Sequence, residues 1–265
     1  MKTRIISGIV MALIVGGILA GGFLWQPILI NITVALLAVA AIYELLHNAI
    51  GVQSHLTLIG ASVYAAITVF GIDDYNNFDS IIISTIFYCI YAVIMILANH
   101  KSFDLAKIIC TYALPIPFVL AFCFLCGIIT SDNGIYYLLL LLIFSSVCDM
   151  GAYFTGVTIG KHKLCPEISP KKTVEGAIGG IVCSLIFTGV VSYLFGEFSI
   201  SLLLLTVPFC VLGMLGDLFA SAIKRSVSLK DYGDIIPGHG GIMDRLDSIL
   251  MITPFMFVSL YYGWL

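Results

Sequence analysis

The segment from Ser221 to Asp247 reads SAIKRSVSLKDYGDIIPGHGGIMDRLD and is strongly polar within an apolar chain. It holds four of the 12 Lys and Arg residues and four of the 15 Asp and Glu residues, although charged residues make up only 10% of the chain. Apolar stretches of membrane length flank it on both sides. Basic side chains contact phosphate oxygens, glycines let backbone N–H groups approach them, and carboxylates hold divalent cations. The segment is therefore typical of a site for a phosphate ester and its metal ion.

An alternative interpretation of this segment is an ordinary cytosolic loop of a membrane protein, because such loops are enriched in Lys and Arg. That interpretation explains Lys224, Arg225 and Lys230. It does not explain the run Pro-Gly-His-Gly-Gly at 237–241, which is followed by carboxylates at the start of the next apolar stretch. We therefore favour the phosphate site.

The composition of the whole chain indicates a protein that is embedded in a lipid bilayer. Hydrophobic residues make up 60% of its 265 residues, and the mean hydropathy is +1.11, far above the values of soluble domains. The chain has no block of like charges, which argues against a nucleic-acid partner. Most of its eight cysteines lie inside apolar runs and are expected to be buried as small apolar side chains.

Nine apolar stretches are long enough to cross a bilayer as helices, which need about 20 residues each. Their predicted limits are 5–24, 28–48, 53–72, 80–98, 105–129, 134–156, 174–196, 199–222 and 246–264. The first stretch follows Met-Lys-Thr-Arg, and we expect an uncleaved helix there because further spans follow it. The predicted fold is an all-α integral membrane protein, a polytopic bundle of about nine transmembrane helices.

The distribution of basic residues predicts the orientation of this bundle. Successive loops between the nine spans lie on alternate sides of the membrane. Every Lys and Arg then falls on one side, and the charged residues of the opposite loops are all acidic. The positive-inside rule then places the N-terminus in the cytosol and the C-terminus outside. We expect residues 1–130 to form about five N-terminal helices. Residues 131–265 are expected to form a catalytic part with cytosolic loops at 157–173 and 223–245.

Three carboxylates lie within or at the edge of apolar spans, where charge is costly and therefore usually functional. They are Glu44, Asp149 and Asp217. Asp149 and Asp217 lie several residues before the cytosolic ends of their spans, and Asp244 and Asp247 begin the last span on the same side. We expect these four to converge near the cytosolic face. For Glu44 a purely structural role is equally open.

A second polar constellation precedes the seventh predicted span. The run Ser169-Pro170-Lys171-Lys172-Thr173 offers two cations and two hydroxyls before a helix N-terminus, which is a natural anion site. A basic cytosolic loop remains the alternative interpretation here. Gly156 and Gly160 lie four residues apart on the preceding helix, and helix packing alone explains that spacing.

Both constellations resemble the phosphatidate cytidylyltransferase family, also called the CDP-diacylglycerol synthases. In the first segment, the positions in the order and spacing of the family signature are Ser221, Lys224, Arg225, Lys230, Asp231, Gly233, Pro237, His239, Gly240, Gly241, Asp244, Arg245 and Asp247. The second segment resembles the family through Asp149 and the run Ser-Pro-Lys-Lys-Thr-x-Glu-Gly that begins at Ser169. The resemblance covers the C-terminal half, whereas the first 130 residues match only as generic membrane helices.

The resemblance implies that CTP and phosphatidate become CDP-diacylglycerol and pyrophosphate. We expect Asp217 and Asp244 to be catalytic and to hold Mg²⁺, with a second cation left open. The expected substrate-binding residues are Asp149, Ser169, Lys171, Lys172, Thr173, Ser221, Lys224, Arg225, Lys230, His239, Gly240, Gly241, Arg245 and Asp247. His239 is favoured as a phosphate-contacting or loop-orienting group, because a phosphate monoester has a pKa near 6 and needs no general base. The resemblance also implies a homodimer.

Two other functions stay open at this point. A CTP-dependent kinase of a polyprenol-like or phytol-like alcohol would use similar nucleotide chemistry, although the full signature argues against it. A transporter would explain intramembrane carboxylates without any chemistry, although the chain has no convincing internal repeat. The expected location is the inner (plasma) membrane of a bacterium, with the active site on the cytosolic side.

Overall fold

A computed structural model describes residues 16–17, 21–22, 26–71, 78–98, 104–235, 238 and 240–265. From residue 26 onward, the described residues form eight helices and one two-stranded β-hairpin. The chain divides into two compact units. The first comprises residues 1–131 and 227–245, and the second comprises residues 132–226 and 246–265.

From residue 26 onward, the described residues of the first unit form four helices. They are α1 (Ile28–Ala49), α2 (His55–Phe70), α3 (Asp79–Ala98) and α4 (Leu105–Thr130). Helix α1 packs against α2 and α4, and α2 also packs against α3. Ser54 begins α2, because its hydroxyl accepts a hydrogen bond from the Thr57 N–H (3.4 Å) and satisfies one of the open donors of the first turn. The buried core of this unit includes Leu45, Leu46 and Phe122.

The second unit contains the hairpin and the remaining helices. Its elements are α5 (Gly134–Ile159), β1 (Lys163–Cys165), β2 (Ser169–Thr173), α6 (Val174–Phe195) and α7 (Ile200–Ser226). Helix α8 (Met243–Tyr261) begins in the first unit, and its larger part belongs to the second. The strands pair antiparallel, with Lys163 opposite Thr173 and Cys165 opposite Ser169. This hairpin lies within the loop predicted at 157–173, and its strands were not expected from the sequence.

Three of the helices contain a wider π-helical turn, in which each N–H bonds to the carbonyl five residues earlier. These turns are Glu44–Ala49 in α1, Ile109–Ala113 in α4 and Ile143–Val147 in α5. Such turns are rare in proteins, and those that occur often lie at functional sites. The first begins with Glu44, and the third ends two residues before Asp149.

Six of the described helices are long and apolar enough to cross a membrane: α1, α3, α4, α5, α6 and α7. Their bounds lie close to six of the predicted spans. Helix α2 is also apolar but has only 16 residues, and α8 carries three charged residues near its start. The predicted span 5–24 lies outside the described residues except for 16–17 and 21–22. The prediction of a mostly helical membrane protein is confirmed, whereas the count of nine spans and the orientation stay predictions.

Large apolar side chains cover the outward faces of these helices. Examples are Phe87 on α3, which is 68% exposed, and Ile200 on α7, which is 72% exposed. In water such faces would be unfavourable, whereas hydrocarbon solvates them without cost. These faces therefore indicate lipid as the surrounding solvent.

Glycines bring α5 and α6 into close contact. A Cβ atom at Gly176 would lie 2.7 Å from the carbonyl oxygen of Ala152, and one at Gly180 would lie 2.5 Å from that of Cys148. Neither position has room for a side chain. Small residues at membrane-helix interfaces allow the backbones to approach in this way. The contact fixes the end of α5 against the start of α6, where the predicted site residues lie.

Candidate active site

The second unit contains a cavity of about 570 Å³ beside the hairpin. Its polar wall consists of Asp149, Lys163, Lys171, Lys172, Thr173 and Asp217. Its apolar wall includes Tyr153, Val157, Leu164 and Met214. Five of the six polar residues are predicted site residues. The combination of cations, carboxylates and apolar side chains suits a ligand that has both a charged and a hydrocarbon part.

An ion pair joins the Ser-Pro-Lys-Lys-Thr run to one of the intramembrane carboxylates. The ammonium of Lys172 on β2 lies 2.5 Å from Oδ2 of Asp217 on α7, and the two side chains are 24% and 29% exposed. The hydroxyl of Ser221, one turn further along α7, donates to the other oxygen of Asp217 (3.4 Å). Asp149 interacts electrostatically with both Lys172 and Asp217. Lys172 therefore interacts with two carboxylates, directly with that of Asp217 and electrostatically with that of Asp149.

The hairpin that carries Lys172 is tied to the start of α6 by two side chains. Thr173 caps the helix, because its hydroxyl accepts a hydrogen bond from the Gly176 N–H (3.1 Å). The carboxylate of Glu175 accepts hydrogen bonds from the backbone N–H of Lys161 (3.1 Å) and of His162 (3.2 Å). It also pairs with the His162 ring (2.5 Å). The Thr-x-Glu part of the motif thus closes the hairpin at its base.

Close packing of α7 against α8 brings Asp247 near Asp217. A Cβ atom at Gly216 would lie 2.7 Å from the carbonyl oxygen of Asp247 and from Cβ of Met251. Because Gly216 precedes Asp217, this contact places the two carboxylates in the same region, and they interact electrostatically. The buried Lys224 also interacts with Asp247 and opposes the repulsion between the anions.

The first unit holds the Gly-rich loop, defined here as residues 227–242, of which 236, 237 and 239 are not described. Oδ2 of Asp244 accepts hydrogen bonds from the backbone N–H of Tyr232 (2.7 Å) and of Gly241 (3.0 Å). Gly240 adopts a φ of 88°, which favours glycine because other residues are strained there. Asp244 thus ties both arms of the loop to the start of α8.

The remaining predicted site residues differ in their surroundings. Lys171 is exposed at the cavity, and Ser169 begins β2 opposite Cys165. Arg225, Lys230 and Arg245 are exposed. His239 lies outside the described residues, so its predicted role stays a prediction. Asp217 belongs to the second unit and Asp244 to the first. Their joint binding of one metal ion therefore also stays a prediction.

Sequence reasoning missed Lys163 and did not foresee the roles of Glu175 and Glu44. Lys163 lines the cavity from β1, and only the hairpin pairing brings it there. Glu175 was read only as part of a motif, whereas it anchors the hairpin. Glu44 was recognised as an unusual intramembrane carboxylate, but its partners lie 198 and 199 residues away and no local pattern indicates them.

The donor chemistry of the second unit fits Mg²⁺. Asp149, Asp217 and Asp247 interact electrostatically with one another and supply carboxylate oxygens, the ligands this cation prefers. Within the described ranges, however, no three His, Cys, Asp or Glu side chains are already arranged to hold a metal ion. Lys172 instead supplies the positive charge at Asp217. Asp217 and the carboxylates near it are the residues that would hold such a cation.

Fold and site together define a class: a polytopic helical membrane protein with a cavity that is lined by both lysine and aspartate side chains. The sequence model of the "Cytidylyltransferase family" matches residues 2–262, and the chain belongs to this family. It is 36% identical to the phosphatidate cytidylyltransferase of Bacillus subtilis, in an alignment that covers 98% of this chain and 97% of that protein. It is 45% identical to the phosphatidate cytidylyltransferase of Staphylococcus haemolyticus over 134 residues. That alignment covers 49% of this chain and spans about half (51%) of the relative.

Proposed function

We propose that this chain transfers the cytidylyl group of CTP to phosphatidate, giving CDP-diacylglycerol and pyrophosphate. Membership of the family and the likeness to the Bacillus subtilis protein over nearly the full length of both chains support this proposal. The observation that carries it is the Lys172–Asp217 ion pair in a cavity with cationic, carboxylate and apolar walls. Such a cavity accepts the phosphate groups of a nucleotide or a lipid next to a hydrocarbon surface.

The reaction forms one bond and breaks one. An oxygen of the phosphatidate monoester attacks the α-phosphorus of CTP, and the bond from that phosphorus to the bridging oxygen of the β-phosphate breaks. Pyrophosphate carries away the electron pair. Because the second pKa of a phosphate monoester lies near 6, the attacking oxygen is already largely anionic at neutral pH. The protein therefore has to align and neutralise anions, and it has no need to remove a proton.

The basic residues of the cavity would supply most of this neutralisation. Lys163 and Lys171 are exposed at the cavity and can contact phosphate oxygens directly. Lys172 lies in the same wall of the cavity, where its ammonium group pairs with Asp217. Charge that develops on the equatorial and leaving oxygens is then stabilised by fixed ammonium groups, which is the main contribution of proteins to phosphoryl transfer.

Asp217 and Asp244 are the residues we propose to hold Mg²⁺, which neutralises the phosphates when it is bound. Asp149 and Asp247 are the further carboxylates near Asp217, and they would place a second cation if one is used. We also propose that the site faces the cytosol, where CTP is found, and that the enzyme is a homodimer in the bacterial cell membrane. The restriction of all Lys and Arg residues to one side of the predicted spans supports the first of these statements.

Labelled CTP tests the proposal and separates it from its rivals. The purified protein in detergent is incubated with phosphatidate, Mg²⁺ and CTP that is radiolabelled either at the α-phosphate or at the γ-phosphate. The proposal requires that the α-label enters the lipid phase and that the γ-label leaves as pyrophosphate. A lipid kinase would instead transfer the γ-label to a lipid alcohol. In vesicles, uptake of CTP without conversion would indicate a transporter.

A further inference from the structure

Glu44 is a buried carboxylate on a helix that the predicted chemistry does not use. It begins the π-helical turn at the end of α1 and is only 1% exposed. Burying a carboxylate without partners is strongly unfavourable, so its contacts must compensate. These contacts come from the other end of the sequence. The carboxylate accepts hydrogen bonds from the backbone N–H of Ile242 (3.1 Å) and of Met243 (3.0 Å).

Those two N–H groups belong to the end of the Gly-rich loop and the first residue of α8. The first N–H groups of a helix have no partner inside the helix, and a negative charge is favourable beside them. Glu44 therefore acts as the capping group of α8, although it lies 198 residues before the first of its donors. The cap defines where α8 begins, and Asp244 is the second residue of that helix.

The Glu44 carboxylate also explains two glycines of the loop. A Cβ atom at Gly233 would lie 2.5 Å from Oε1 of Glu44, and one at Gly241 would collide with Oε2. Gly240 needs glycine because of its backbone angle, whereas Gly241 needs it because Glu44 occupies the space. The Gly-Gly pair of the signature thus has two separate physical causes.

Asn48 makes a second connection from the same π-helical turn. Its side-chain amide donates to the carbonyl oxygen of Tyr232 (2.7 Å). Tyr232 has a fully buried side chain, and its N–H donates to Asp244. Glu44 and Asn48 therefore hold the two arms of the loop that Asp244 also joins, one arm near Tyr232 and the other at Gly241–Met243.

We propose that Glu44 is a positioning residue, which holds the Gly-rich loop and the first turn of α8 so that Asp244 and the loop amides are oriented for the reaction. The proposal rests on the proposed function for its kinetic consequence but not for its structural one. Asn48 assists by fixing the Tyr232 arm. A carboxylate is required because both of its oxygens accept hydrogen bonds from N–H groups, which an amide side chain cannot do on both sides.

Hydrogen–deuterium exchange of the full-length protein tests the structural part without any assay of activity. In Glu44→Gln, the backbone amides of 240–243 and 232–233 should exchange faster, while those of α2 and α6 stay unchanged. The matched control is Glu197→Gln, the same change at an exposed position between α6 and α7, which should leave every segment unchanged. Loop exchange at the wild-type rate in Glu44→Gln would overturn the proposal, whatever the activity is.

Kinetics then separate positioning from a general loss of stability. Glu44→Gln should lower kcat/KM for CTP by about tenfold or more, as changes of residues that orient ligand-binding groups usually do. The concentration of folded protein, measured by size-exclusion chromatography, should stay similar. Asn48→Ala should show a smaller loss of the same kind.

Gly241→Ala should be less harmful in a Glu44→Ala background than in the wild type, because the space for Cβ is then vacant. Strictly additive effects of Gly241→Ala and Glu44→Ala on kcat/KM would contradict the positioning role. Normal kcat/KM in Glu44→Gln would contradict it as well.

Discussion

Nζ of Lys172 lies 2.5 Å from Oδ2 of Asp217, and this ion pair connects the hairpin before α6 to α7. The pair joins the Ser-Pro-Lys-Lys-Thr run to Asp217, which lies 45 positions further along the chain and also accepts a hydrogen bond from Ser221 at the start of the other family-like segment. Salt bridges at protein surfaces contribute little, but this one lies in a cavity where both side chains are largely shielded from solvent. Lys172 therefore supplies the positive charge beside Asp217, one of the residues that would hold Mg²⁺ in the proposed function.

Neighbouring lysines offer a matched test of this interpretation. Lys172→Met should lower kcat by about 10²-fold, because it removes a fixed cation from the cavity. Lys171→Met, at an exposed position of the same strand, should mainly raise the KM for a phosphate-bearing substrate. Steady-state kinetics with CTP and phosphatidate varied separately measure both effects. Full activity in both variants would reduce the Ser-Pro-Lys-Lys-Thr run to a topology signal.

The proposed metal ligands are tested by removing their charge. Asp217→Asn and Asp244→Asn keep the size of the side chain but weaken binding of Mg²⁺, so activity should fall by about 10²-fold or more. Raising the Mg²⁺ concentration should restore part of the activity if affinity is the defect. Unchanged Mg²⁺ dependence together with near-normal activity would leave these carboxylates with structural roles. The thermal stability of each variant in detergent shows whether the fold persists.

Gly216 is predicted to be intolerant of any side chain. Its Cβ would lie 2.7 Å from both the Asp247 carbonyl oxygen and Met251 Cβ, so Gly216→Ala should destabilise the protein by about 1–3 kcal/mol. Gly189→Ala in α6 is the control, because the nearest atom to its Cβ is a leucine methyl group at 3.9 Å. Thermal unfolding of both variants in the same detergent decides the matter. Equal stability would show that α7 and α8 do not pack through Gly216.

Thr173 is predicted to act through its hydroxyl as the cap of α6. Thr173→Val should therefore cost about 1 kcal/mol, while Thr173→Ser should be close to the wild type. Hydrogen exchange of the first turn of α6 should rise in the Val variant alone. Similar exchange in the two variants would assign Thr173 a packing role in place of capping.

Orientation in the membrane is tested with single cysteines in a cysteine-free background. A cysteine at Asp79 should react with an impermeant maleimide that is added to intact spheroplasts. One at Lys230 should react only when the cytosolic side is exposed, as in inside-out vesicles. This follows because the basic loops are predicted to face the cytosol and the acidic ones the outside. Reaction of both from the same side would contradict the model of nine spans.

Much of this architecture follows from hydrophobic pattern and charge, because lipid makes both signals strong. Asp149, Asp217, Asp244 and Asp247 were expected to converge, since charge in an apolar span is costly and usually functional. The ion pair between Lys172 and Asp217 was not foreseen. The hairpin was not foreseen, because its strands Lys163–Cys165 and Ser169–Thr173 have only three and five residues, too few for a strand-like alternation to be recognised.

The capping of α8 by Glu44 could not be derived from the sequence either. A helix cap normally comes from the residue just before the helix, and that local rule carries no information about a carboxylate 198 residues earlier. The close spacing of glycines in the loop was visible, but its causes were not. Backbone angle explains Gly240, and contact with Glu44 explains Gly241.

The fate of the phosphatidate oxygens tests the central claim most directly. Phosphatidate with heavy oxygen at all three non-bridging positions of its phosphate is converted by the purified protein with CTP and Mg²⁺. Mass spectrometry then measures the masses of the lipid product and of pyrophosphate. Attack by phosphatidate on the α-phosphorus of CTP predicts CDP-diacylglycerol that retains all three heavy oxygens, and pyrophosphate that contains none. Loss of a heavy oxygen from the lipid product, or no CDP-diacylglycerol above the level of Asp217→Asn, would contradict the account.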